Sequence, residues 1–129
     1  MILEKCWAKL HGSYQRIDGG QAAQTLRDLT GAPGFEYVIA DEKDMWGMIT
    51  KADKEDHIMC AGISGDNEEQ DKDLGLVAGH AYGLIKAATV KDKSGQEVNI
   101  VQLRNPWGSF EWKGSWSDDS DDWTPELKK

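Results

Sequence analysis

Apolar positions recur at helical spacing through the first half of the chain and shift to strand-like runs in the second. Leu3, Cys6, Trp7 and Leu10 fall at i, i+3, i+4 and i+7, which predicts a helix over Ile2–Leu10 stopped by Gly12. After a break at Gly19-Gly20, Ala22, Leu26 and Leu29 line one side of a second helix, Gln21–Leu29, closed by the Gly- and Pro-containing run 30–34. Phe35–Ile39 is a short strand candidate. Asp41 is placed to cap a third helix from Glu42 to about Ala52, with Met45, Trp46, Met48 and Ile49 as its buried stripe. His57–Ile63 reads as a buried strand, and Leu74–Val77 leads into a strand bearing His80. Ile85–Val90 and Val98–Leu103 flank a polar loop, Lys91–Gln96, in the pattern of a β-hairpin. The elements together predict an α+β fold with a mostly antiparallel sheet and a few flanking helices.

The hairpin brings two polar residues near one another. With its turn centred between Lys93 and Ser94, paired residues have numbers summing to about 187, and His80 sits diagonal to Asn105 on one sheet face. Diagonal neighbours lie roughly 7–8 Å apart, and a two-residue shift would set them opposite each other at roughly 4.5–5.5 Å. A one-residue shift would put them on opposite faces. A histidine acting as a base must hold one tautomer and one ring orientation. A carboxamide oxygen accepts one ring N–H and leaves the other nitrogen for a nucleophile. Being neutral, it perturbs the imidazole less than a carboxylate would, which suits a thiolate–imidazolium pair. Trp107, two residues beyond Asn105, is placed to cover that hydrogen bond and keep water from it.

Composition narrows the function classes. The length suits one domain, 1–129, and 39% hydrophobic residues suffice for a modest core. No apolar run approaches the roughly 20 residues needed to span a bilayer, and no secretory leader is visible. Asp66–Asp73 and Asp118–Asp122 each carry −4, together the whole formal charge of −8. That sign opposes a nucleic-acid or anionic-membrane surface and suits a hard cation such as Ca²⁺. Two cysteines without a CxxC or Cys/His pattern argue against a zinc site or disulfide framework and fit a reducing, cytoplasmic setting. Cys6 on its apolar stripe and Cys60 within its strand are expected to be packed, not reactive. His11, on an expected exposed turn, and His57 receive no role.

Gly79-His80-Ala81-Tyr82, Leu103-Arg104-Asn105-Pro106-Trp107-Gly108 and Glu111-Trp112-Lys113-Gly114-Ser115-Trp116-Ser117-Asp118 together resemble the calpain family of calcium-dependent cysteine proteases. The likeness extends to Leu3-Glu4-Lys5 and Ala8–Tyr14, similar to the calpain helix joining the two halves of the protease core, and to Gly19-Gly20 followed by Asp28-Leu29-Thr30-Gly31. It implies the second, barrel-like subdomain of a papain-like core, with His80 and Asn105 catalytic and Trp107 supporting. It further implies protein substrates, and a thiol supplied by the preceding subdomain of the same parent chain. The family's Gln…Cys-Trp motif does not occur here, so this chain alone is expected to be inactive.

An EF-hand starting at Asp118 fails, because its sixth position is Trp123, where Gly is required, and its twelfth is Lys129, where Glu should bind. The resemblance implies a different calcium site in which Glu111 and Asp118 are two of the carboxylate ligands. The others come from a segment beyond these residues, so the site here is partial and weak. The resemblance also implies that calcium draws the subdomains together, with Trp107 as the wedge that otherwise separates them. Two other readings belong to different classes. One is a calpain-like interaction module whose full-length form lacks the thiol. The other is a papain-like amidase or transferase, against which the Glu111–Asp118 match speaks.

Overall fold

The computed structural model describes residues 2–63, 74–109 and 111–128, in two compact units, Met1–Asp41 and Glu42–Lys129. The acidic run Asp66–Asp73 lies outside the described residues.

In the first unit, helix α1 spans Ile2–His11 and stops before Gly12, whose φ of +96° is one that glycine tolerates. His11 is the helix's last residue rather than part of an exposed turn. Its ring meets Trp7 at 4.4 Å and its Nε2 is buried. The apolar stripe of α1 is largely uncovered: Leu3 and Leu10 are exposed and Cys6 is exposed with them, against the expectation that it packs. Helix α2 spans Ala22–Thr30 and ends at Gly31 in the left-handed conformation, whose N–H returns to the Arg27 carbonyl at 2.7 Å. The chain then folds back on α2 so closely that a Cβ at Gly34 would sit 2.5 Å from the Ala23 carbonyl oxygen. Phe35–Ile39 is not a strand. It joins no sheet among the described residues, and it ends in a 3₁₀ turn, Ile39–Asp41.

The second unit opens with helix α3, Met45–Lys54. Its cap is Asp44, not Asp41: the Asp44 carboxylate accepts the Gly47 N–H at 3.0 Å, while Asp41 is spent closing the preceding turn on Val38. Three antiparallel strands follow in the order β1 (Met59–Gly62), β2 (Ala81–Lys91) and β3 (Glu97–Arg104). This confirms an α+β arrangement, but the sheet is open rather than barrel-like, since three strands leave two edges that do not meet. Strand β1 is shorter than the expected 57–63 run and alternates half-buried with exposed, so that Cys60 is exposed rather than packed. Helix α3 packs on β2, where the Ala87 N–H donates to the Asp53 carboxylate at 3.4 Å. No helix among the described residues is long and apolar enough to cross a membrane.

The hairpin of β2 and β3 turns at Ser94. Lys91 pairs with Glu97, and the Asp92 carbonyl accepts the Gly95 N–H at 3.0 Å, with Gly95 at φ +86°. A turn followed by a left-handed residue is the usual three-residue hairpin closure. From Lys91 to Lys86 partners sum to 188. Between Leu84 and Lys86 one residue bulges, and Leu84 then pairs with Leu103 and Gly83 with Arg104, summing to 187.

Candidate active site

His80 immediately precedes β2 and Asn105 immediately follows β3, so the hairpin presents both at one end. Had the register set at Ser94 continued unbroken, Gly83 would face Asn105 and His80 would point to the other side of the sheet. The bulge at Ile85 removes that one-residue offset and returns both side chains to one face. His80 Nε2 lies 2.8 Å from Asn105 Oδ1.

The carboxamide orientation decides the tautomer. Asn105 Nδ2 donates to the Ser109 carbonyl, and Asn105 Oδ1 accepts the Trp107 N–H at 3.0 Å. Rotating the amide by half a turn would set N–H against N–H and oxygen against oxygen, so Oδ1 is the atom facing the imidazole. An amide oxygen only accepts, hence His80 carries its proton on Nε2 in the neutral ring and Nδ1 is the acceptor. The bond from Trp107 N–H back to Asn105 closes an Asx turn across Pro106, which couples the position of the indole to that of the carboxamide.

The ring of His80 is walled on two sides. Trp107 lies against it with centroids 4.2 Å apart and planes at 46°, and Tyr82 meets it edge-on at 4.7 Å and 88°. His80 is 8% exposed although Trp107 itself is 58% exposed, so the indole covers the imidazole and shows its other side to solvent. Burial strengthens a hydrogen bond by excluding water as a competitor. Among the described residues of the second unit, Gly75, Val77, His80 and Tyr82 are the buried ones, which places its best-packed region at the imidazole.

Cys60 does not belong to this arrangement. It pairs with Gly83, which alternates with Tyr82 along β2, so Cys60 projects from the sheet face opposite His80. Cys6 is exposed on α1 in the other unit. His57 approaches Glu55 at 3.4 Å on the surface.

Glu111 and Asp118 both line one open concavity of about 840 Å³, formed by residues 111–122. The loop is held by its own tryptophans: Trp112 Nε1 donates to the Ser115 carbonyl at 2.8 Å, Trp123 Nε1 to Ser117 at 2.7 Å, and Trp116 meets Trp123 edge-on at 5.0 Å. Asp122 is occupied, accepting from the Ser120 hydroxyl at 2.8 Å and the Trp116 N–H at 2.9 Å, and these bonds, Ser120 first, hold its carboxyl below the usual range. Among the described residues no three His, Cys, Asp or Glu side chains gather as a metal site. The carboxylates that line this concavity, Glu111, Asp118, Asp119 and Asp122, are oxygen donors of the kind calcium takes, but they do not converge as a set.

Two features escaped the sequence reading. Tyr82 could have been found from its spacing, since a residue two positions from His80 on a strand shares its face. The Ser109 carbonyl lies in a loop after Pro106, where no periodicity points to a contact.

The model of the calpain family of cysteine proteases matches residues 1–129. The chain is 38% identical over 127 residues to human calpain-9 (Homo sapiens) and 37% identical over 129 residues to the calpain-1 catalytic subunit of Rattus norvegicus, covering in each case 95% of this chain and 18% of the relative. It is 35% identical over 136 residues to the calpain-type cysteine protease ADL1 of Oryza sativa subsp. japonica, covering 98% of this chain and 6% of that protein. The chain thus spans less than a fifth of the length of these relatives, and it belongs to the calpain family of cysteine proteases.

Proposed function

We propose that this chain supplies the acid–base half of a thiol endopeptidase, with His80 as the proton carrier and Asn105 as its positioning residue. The observation that carries the reading is the 2.8 Å contact between His80 Nε2 and an Asn105 oxygen whose orientation is set by Trp107 and Ser109. With Nε2–H held by Asn105, Nδ1 takes the proton of a thiol brought to it, giving a thiolate–imidazolium pair. The thiolate attacks the scissile carbonyl, and the imidazolium returns its proton to the departing amine. Trp107 shields the Nε2–H bond through both steps. Neither Cys60, on the far face, nor exposed Cys6 has the setting of that nucleophile, which comes from residues outside this chain.

Calcium dependence belongs to the same reading. Glu111 and Asp118 would hold the ion together with ligands from outside these residues, and the ion would supply positive charge to an acidic loop. Proteins are the substrates, and a reducing cytoplasm is the compartment that keeps such a thiol active.

Peptidase assays test the reading. The 129-residue chain alone is expected to show no turnover with or without calcium. Joined to the thiol-bearing region it is expected to cleave, and His80→Ala is expected to abolish cleavage. Turnover by the chain alone that survives replacement of both cysteines would overturn the thiol mechanism.

A further inference from the structure

We infer that Tyr82 is a positioning residue for His80, acting through its hydroxyl on the backbone that carries the imidazole; this rests on the reading of His80 as the base. Tyr82 is 5% exposed and stands two residues beyond His80, on the same face of the sheet. Its ring edge meets the imidazole at 4.7 Å, and its hydroxyl accepts the Val77 N–H at 2.9 Å. One side chain therefore touches both the ring of His80 and the backbone three residues before it.

That backbone needs an external hold. Residues 77–80 lie outside any helix or strand, and Gly79 has a φ of +67°. Among the described residues the segment is fastened by Gly79 N–H to the Ile63 carbonyl at 2.9 Å and by Val77 N–H to Tyr82. Val77 is 4% exposed, so its N–H has no water to turn to if the hydroxyl is removed. The segment must then shift to satisfy that donor. Any shift is passed to His80, whose ring fits between Tyr82 and Trp107 and must meet Asn105 at hydrogen-bond length.

Tyr82→Phe in the enzyme that carries these residues with its thiol removes the hydroxyl and keeps the ring. The expected result is a kcat lower by about tenfold, a small part of the roughly 10²–10⁴-fold that a positioned base contributes, with KM changed less than about twofold. In ¹⁵N-histidine spectra of the same variant with its thiol replaced, so that the neutral ring is observed, His80 is expected to move from a single Nε2–H tautomer to a mixture. An unchanged kcat with an unchanged tautomer, even beside a lowered melting temperature, would overturn the inference and reduce Tyr82 to a packing residue. Should Tyr82→Phe fail to fold, the wild-type protein still decides. Its Val77 amide is expected to exchange at least about 100-fold more slowly than an unstructured amide, and exchange at the unstructured rate would overturn the inference. A His80→Ala variant run alongside separates the two levels: retained turnover there defeats the assignment of His80 itself, whereas loss there with an unaffected Tyr82→Phe defeats the role of Tyr82 alone.

Discussion

His80 and Asn105 share a sheet face because Ile85 is left out of the strand pairing between them. The offset is one residue, the smallest error a β-register can make and the one with the largest consequence, since it exchanges every side chain between faces. Here the turn at Ser94 sets the wrong parity for the site, and the bulge corrects it.

Two deletions separate these effects. Removing Ile85 leaves Leu84 on Leu103 and Lys86 on Gln102, now without a bulge, so the two side chains stay on one face, and turnover by the enzyme that joins these residues to the thiol-bearing region is expected to survive. Removing Gly83, between the bulge and the site, reverses the face on which His80 emerges. Loss of at least about 10²-fold in kcat is expected there, the contribution of a base no longer in place. Nuclear Overhauser contacts between His80 and Trp107 report the same outcome without an assay: present in the first deletion, absent in the second.

Much of this geometry was legible in the sequence, and its limits are physical. Alternating apolar residues around a Gly-containing loop located the hairpin, and the spacing of His80 and Asn105 from that loop brought their side chains to one face, where they meet. The centre of the loop was not legible. Asp92 gathers the Ser94 N–H, the Ser94 hydroxyl and the Gln96 N–H on one oxygen, which moves the centre half a residue from where polarity alone put it. The bulge was equally hidden, because Ile85 is as good a strand residue as its neighbours and nothing local marks it as unpaired. The two misplacements cancel at Leu84–Leu103, so the pairing expected near the site was right although its route was not. The burial of Cys6 and Cys60 failed differently: periodicity names the apolar side of an element and says nothing of what covers it.

Asn105 is expected to govern the imidazole through its tautomer. Asn105→Ala removes the acceptor for Nε2–H and frees the ring to protonate at either nitrogen. A fall in kcat of about 10²-fold is expected, within the range for a mispositioned base, with KM little changed. With the thiol replaced, so that the neutral ring is observed, the ¹⁵N shifts of His80 should show both tautomers. A single Nε2–H tautomer in Asn105→Ala would mean that another group orients the ring.

Asp92 ties hairpin stability to pH. Its carboxyl is lowered from the ordinary value of 3.8, first by the Ser94 hydroxyl and then by the Gln96 N–H. A carboxylate with a depressed folded-state value binds its proton more readily in the unfolded chain. Its contribution is therefore complete above the ordinary value and is lost as pH falls through the depressed one. Asp92→Asn is expected to lower the melting temperature at neutral pH and to flatten its decline below pH 3.8. Thermal melts of both proteins between neutrality and strong acid check this, and parallel curves would show that the loop does not depend on the charge.

Calcium binding tests how far residues 111–122 form a site by themselves. Glu111, Asp118 and Asp119 line one concavity with Asp122, which is already bound to Ser120 and Trp116, and no three of these side chains gather as a metal site among the described residues. The two expected ligands, Glu111 and Asp118, satisfy only part of the six to eight oxygens that calcium takes, and affinity follows ligand number and charge. Calcium is therefore expected to bind this chain more weakly than about 10⁻⁴ M. Amide shifts should be confined to the neighbourhoods of Glu111 and Asp118, and Glu111→Gln or Asp118→Asn should remove them. The Trp112 and Trp123 indole signals give an internal check, because both donate to carbonyls of this loop and should respond with it. Submicromolar binding, or shifts that persist in both variants, would show that the ion is held by a different set of oxygens.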